Sequence, residues 1–127
     1  MAASIGMVTK QLPVVPSKQA TADISGHHTE IVVSKFEDYL FIIATQYMKI
    51  GTLIQITRDV VSDEFEENVP LFSTYVLMGK DEPITHVMAR TIVTALNPPI
   101  PVILSLALKD TSVDTVQAII ELIKTCL

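Results

Sequence analysis

Three histidines, one cysteine and a scatter of carboxylates are the residues of this chain whose types could do chemistry. His27 and His28 adjoin, and two imidazoles can hold a metal. Neighbouring side chains on a strand point to opposite faces, however, and no third ligand is near in sequence, so the pair reads as a turn or surface feature. His86 stands beside Val87 in a stretch of helical spacing, where a lone histidine packs. Asp81-Glu82 has the makings of an acid–base pair. Pro83 follows at once, and helix capping accounts for both carboxylates with no nucleophile or electrophile alongside. Cys126 has Lys124 as its one basic neighbour and reads as structural or inert. Being single, it excludes an internal disulfide and a cysteine-based zinc site. The 4 glycines are dispersed, so no phosphate-cradling loop is present. Asp59, Asp63, Glu64, Glu66 and Glu67 crowd one short stretch, which serves as a solvated loop or as a contact for a basic partner. No catalytic residue, metal or cofactor is expected.

The bulk properties agree. A chain of 127 residues, 49% hydrophobic, can bury the core of one domain. Its formal net charge is −5, and its 9 Lys+Arg form no basic patch, which argues against nucleic acid. No apolar run reaches the ~18 residues of a membrane helix. The start, MAASIGMVTKQLPVVP, lacks a basic segment followed by a long apolar one, so no signal peptide is expected. These features fit a soluble, reducing, intracellular setting, and the expected localisation is the cytoplasm with the nucleus as a second compartment.

The elements that must position these residues are strands first, helices last. Residues 1–17 hold Pro13 and Pro16, show no period, and read as a flexible tail before a single domain over 18–127. Residues 20–24 and 29–35 alternate, with Ser25-Gly26 as a hairpin turn between them. Two strands follow at about 37–47 and 52–58. Gly51 stands in their connection and is expected at positive φ. FSTYVLM, 72–78, is a fifth strand, ended by Gly79. Asp81-Glu82-Pro83 then starts a helix with an acidic cap and proline in its first turn. Ile84, Val87, Met88, Thr91, Ile92 and Ala95 give its apolar spacing, and Asn97-Pro98-Pro99 stops it. IPVILSLAL, 100–108, is a sixth strand, heavy on the side of Val102, Leu104 and Leu106. Thr111 with Asp114 resembles a capping box for a last helix, buried through Val113, Val116, Ile119, Ile120 and Ile123.

The order is β-β-β-β-β-α-β-α: an α+β domain with a six-stranded, mainly antiparallel sheet and two helices on one face. Two helices cannot cover both faces. Yet LFIIA, 40–44, is apolar on both, with Phe41 and Ile43 on one side and Leu40, Ile42 and Ala44 on the other. Each Leu, Ile or Phe taken fully out of water contributes about 1.5–3 kcal/mol. A second apolar face therefore calls for a partner or for a sheet curled on itself. Leu40, Ile42, Ile43, Leu53 and Ile54 are the candidates for a dimer face. Gly51, Gly79, Asp81 and Pro83 are the candidate structural motif.

Thr45-Gln46-Tyr47, Lys49, Gly51-Thr52-Leu53, then Leu77-x-Gly79-x-Asp81-Glu82-Pro83 with His86-Val87, then Lys109-Asp110-x-Ser112, with Lys18-Gln19 ahead of the first strand, resemble the proteasome assembly chaperone 3 family in order and spacing. The chain departs from that pattern at 1–17, at the acidic stretch 59–70 and in the Pro-rich link 98–101. The resemblance implies a chaperone without enzymatic activity. It implies pairing with a similarly folded partner, proteasome assembly chaperone 4, and binding of α-type 20S subunits to promote an ordered α-ring. It also implies that homodimers occur. Two other classes compete. A longin or roadblock scaffold for membrane traffic or small GTPases places a helix between its second and third strands, which this order lacks. A small-molecule enzyme needs convergent polar groups in a pocket, and no such cluster is visible.

Overall fold

The alternating residues 17–35 form two strands, β1 (Ser17–Ile24) and β2 (His27–Lys35), because a two-residue turn can reverse the chain between them. Ser25 (φ 52°) and Gly26 (φ 81°) both adopt left-handed backbone, the turn whose twist matches flanking strands. In the computed structural model, which describes residues 15–59 and 71–127, β3 (Leu40–Thr45), β4 (Thr52–Arg58) and β5 (Phe72–Met78) follow. Helix α1 (Pro83–Leu96), strand β6 (Val102–Ala107) and helix α2 (Val113–Lys124) complete the order expected from sequence. The expected tail lies outside the described residues up to position 14, and Ser17 already belongs to β1. The acidic stretch 59–70 lies outside them apart from Asp59.

The strands form one six-stranded sheet in the order β1-β2-β3-β6-β4-β5. Strand β6 therefore separates β3 from β4, parallel to the first and antiparallel to the second. Every other pairing is antiparallel. The two strands with apolar residues on both sides, β3 and β6, thus lie side by side in the middle of the sheet, where a strand is least wetted.

Both helices cover the same face. Ile31 and Val33 on β2, Ile42 on β3, Ile54 and Ile56 on β4, and Val102 and Leu104 on β6 are fully buried beneath them. From α2, Val116, Ile119, Ile120 and Ile123 enter this core, and Cys126 is buried just beyond it. Val113 does not: it is 83% exposed, at the first position of the helix. The cap lies one residue later than the sequence suggests. Ser112 Oγ, not Thr111, accepts from the Thr115 N–H.

Helix α1 buries Thr85, Met88, Ala89, Ile92 and Val93, so Ile84, Val87, Thr91 and Ala95 face outward. The helix carries two apolar stripes of equal period, and period alone does not set phase. The buried stripe is the one in which small Ala89 lets the helix approach the sheet. Pro83 is its first residue, as expected. The acidic cap is not formed: Glu82 occupies the capping position without a side-chain hydrogen bond. Asp81 bonds instead to His86, as described below. At the other end Asn97 adopts φ 47° and its N–H reaches the Val93 carbonyl at 2.7 Å, closing the helix.

Gly79 ends β5 at φ 103°, a conformation that side chains rarely tolerate. Gly51 is a correction. It lies outside the left-handed region; a Cβ there would collide with the Leu106 carbonyl oxygen and come within 2.7 Å of the Ala107 Cβ. The connection from β3 to β4 must step over the end of β6, and only glycine lets the two backbones come that close. The positive φ in this connection belongs to Met48, at 61°.

Candidate protein-interaction site

The face away from the helices is assembled by strand register. One row across it runs Val32, Ile43, Ser105, Leu53 and Met78, from β2 to β5. The next runs Ser34, Phe41, Ile103, Gln55 and Tyr75. Val32, Phe41, Ile43, Leu53 and Ile103 are half-buried, while Tyr75 and Met78 are exposed. This surface is broad and apolar, with one buried serine and one glutamine at its centre. No described helix or strand packs over it, and it is closed only at Ser105, by the β3–β4 connection.

Of the five residues proposed from sequence for a dimer face, two, Ile43 and Leu53, lie on this open face. Leu40, Ile42 and Ile54 lie on the opposite side, at 5%, 0% and 0% exposure, as part of the monomer core. Side chains alternate between faces, so a list drawn from consecutive residues had to divide.

At the end of the sheet where β3 and β6 both finish, two connections meet. Gln46 joins them. Its side chain is buried; the amide nitrogen donates to Thr29 Oγ1 at 3.1 Å. The amide oxygen accepts from the Lys109 N–H at 2.7 Å and the Asp110 N–H at 3.2 Å. Thr45 Oγ1 accepts from the backbone N–H of Tyr47 and of Lys49, which folds the β3–β4 connection back on itself. The Gly51 N–H donates to Ser105 Oγ. This framework holds Tyr47, Met48, Lys49 and Ile50 out from the sheet, all exposed. The Lys49 and Lys109 ammonium groups lie 5.4 and 5.2 Å from the Tyr47 ring centre. Nothing in the spacing of residues 47 and 109 announces this meeting, since they come from connections far apart in the chain.

Asp110 anchors the second connection. Its carboxylate accepts from Thr115 Oγ1 at 2.6 Å, from the Ser112 N–H at 3.0 Å and from Ser112 Oγ at 3.2 Å. The Thr115 hydroxyl and then the Ser112 backbone hold the carboxyl below its ordinary value of 3.8. A carboxyl with a lowered folded value adds stability above its unfolded value and loses it as pH falls through the folded one. Asp110→Asn is therefore expected to melt below wild type at neutral pH, with the gap narrowing below pH 3.8. Thermal melts across that range check this; a gap unchanged in acid would show that the charge is not responsible.

Two of the histidines make side-chain bonds within the fold. His86 bonds to Asp81 Oδ1 through Nε2 at 2.5 Å and to Thr74 Oγ1 through Nδ1 at 2.6 Å. A threonine, a histidine and an aspartate in series resemble a hydrolytic triad in composition. Here they tie α1 to β5, and none of the three lines a described cavity. His28 bonds to Glu30 on the sheet surface. Among the described residues no group of three or more His, Cys, Asp or Glu is placed to hold a metal ion. No described helix is long and apolar enough to cross a membrane.

Comparisons with known proteins give this geometry a context. The profile of the family Proteasome assembly chaperone 3 matches residues 42–126. The chain is similar to proteasome assembly chaperone 3 of Bos taurus, at 36% identity over 90% of this chain and 94% of the relative. For Homo sapiens the identity is 33% over the same shares. For Nematostella vectensis it is 35%, over 86% of this chain and 85% of the relative. In fold it is similar to a chain from the crystal structure of a chaperone complex for yeast 20S proteasome assembly. That match has a TM-score of 0.69 and 14% identity, and covers 87% of this chain and 97% of the other. A profile match running through β3 to α2, together with relatives above 30% identity along nine-tenths of the sequence, shows that this chain belongs to the proteasome assembly chaperone 3 family.

Proposed function

We propose that the chain promotes formation of the α-ring of the 20S proteasome without catalysing a reaction. It acts as one half of a dimer with a similarly folded chaperone, the fourth proteasome assembly chaperone, and the pair binds α-type subunits. It works in the cytoplasm, with the nucleus as a second compartment. Family membership supports a role in proteasome assembly. The observation that carries the dimer is the uncovered sheet face, where Val32, Ile43, Leu53, Ile103 and Met78 form an apolar surface too broad to be left to water. Two sheets packed face to face, about 10 Å apart, would bury it on both partners. A homodimer uses the same surface when the partner chaperone is absent.

The test is reconstitution. Mixed at equal concentration with the fourth chaperone, the chain should form a 1:1 complex by light scattering. Immobilised, that complex should retain purified α-type subunits. A chain that stays monomeric with and without the partner, or a pair that retains no α-type subunit, would overturn this reading.

A further inference from the structure

We infer that the tip formed by the β3–β4 and β6–α2 connections docks an acidic segment of the proteasome subunit that the chaperone holds, a segment carrying one apolar side chain. The inference rests on the function proposed above and names a second surface for it, distinct from the middle of the open sheet face.

Charge is the first argument. The formal net charge of the chain is −5, yet two of its 9 basic residues stand against one tyrosine ring at the tip. The described ion pairs are made by His28, Lys80, His86 and Lys124; Lys49 and Lys109 make none among the described residues. Asp110, next to Lys109 in sequence, is turned onto Ser112 and Thr115. The tyrosine face attracts each ammonium group, but the two repel each other. A carboxylate bound near both would offset that repulsion.

Shape is the second argument. Beside Lys49 lies an open cavity of about 420 Å³ bounded by Ile50, Ile84 and Met88 and equally by Thr52, Thr85 and Thr111, with Glu82 on the α1 side. Ile84 and Ile50, 45% and 58% exposed, put two apolar side chains on a rim that is otherwise largely polar. Glu82 would repel an incoming carboxylate, which leaves the acidic groups on the lysine side, and Ile50, Ile84 and Met88 offer contact to one apolar side chain beside them.

Rigidity is the third. Met48 holds φ 61° while 66% exposed, so a strained backbone presents a large apolar side chain to water. Strain of this kind persists only where the surroundings impose it, here the hydrogen bonds of Gln46 and Thr45. A tip fixed in advance loses little freedom on binding.

The experiment compares wild type with the double variant Lys49→Glu/Lys109→Glu, using purified α-type subunits one at a time and, separately, the partner chaperone. The wild-type chaperone pair is expected to bind a subunit with an affinity that falls as salt rises. The double reversal should weaken that binding about tenfold or more while pairing and melting temperature stay unchanged. Lys49→Gln/Lys109→Gln, which keeps most of each stem, should lose less. It also serves as the test should the reversal fail to fold. If the wild-type pair binds no subunit, the proposed function falls and this inference with it. If the wild-type pair binds and both double variants bind equally well, this inference alone is overturned. A variant that loses pairing but keeps subunit binding would assign the tip to the partner chaperone and overturn it as well.

Discussion

Ile42→Asp is expected to leave the chain unfolded, while Ile43→Asp, one residue along, leaves it folded and unable to pair. Ile42 is fully buried between the sheet and the helices. Removing a buried isoleucine costs about 2–5 kcal/mol, and the carboxylate that replaces it enters the core without a partner. Those two losses together compete with the whole stability of a domain this size, roughly 5–15 kcal/mol. Leu40→Asp and Ile54→Asp should behave like Ile42→Asp, because both are buried on the same side. Ile43 points the other way, half-buried between Val32 and Ser105 on the open face. Its change costs the isolated chain about 1 kcal/mol, chiefly in strand preference. It places a charge in the middle of the surface proposed to meet the partner, and Leu53→Asp does the same from β4. Circular dichroism separates the unfolded set from the folded set, and light scattering with the partner chaperone reads pairing. Normal pairing by folded Ile43→Asp and Leu53→Asp would remove the open face from the interface.

The second large effect is at Gly51. Gly51→Val should destabilise the domain by about 3 kcal/mol, at the upper end of overpacking costs. The obstacle is the Leu106 carbonyl, part of the backbone of the central strand, which cannot swing aside as a side chain would. Relief requires the β3–β4 connection to lift off β6, breaking the bond from the Gly51 N–H to Ser105 Oγ. Gly51→Ala should be nearly as costly, since the first added carbon already collides. Chemical denaturation measures both. If alanine is tolerated and only valine is not, the crossing has room to open, and the close approach is not what fixes glycine here.

Much of the architecture was legible in the sequence because it depends on local pattern. Alternation in 40–44 separated Phe41 and Ile43 from Leu40, Ile42 and Ala44, and the structure places these sets on opposite faces. Asn97-Pro98-Pro99 ended α1 because proline cannot continue a helix. The β1–β2 turn followed from Ser25-Gly26. In the same way, the quoted family residues were enough to point to the family, since such matches are themselves strings of residues in order.

Other features were decided only when distant segments met. Which side of β3 the helices would cover is a property of the whole chain, so Leu40, Ile42 and Ile54 could be named apolar but not assigned to the core. The insertion of β6 between β3 and β4 has no local signature; pairing depends on which strands most need burial on both faces. That insertion is also why Gly51 is required. The sequence singled out the residue, and the tertiary structure supplied a reason, close backbone approach, that no dihedral preference predicts. For α1 the period was local but the phase was not, because Ile84 and Val87 are as apolar as the stripe that won. The tip follows the same rule. Tyr47, Lys49 and Lys109 are ordinary surface residues in their own segments, and they become a site only because a buried glutamine joins the two connections that carry them.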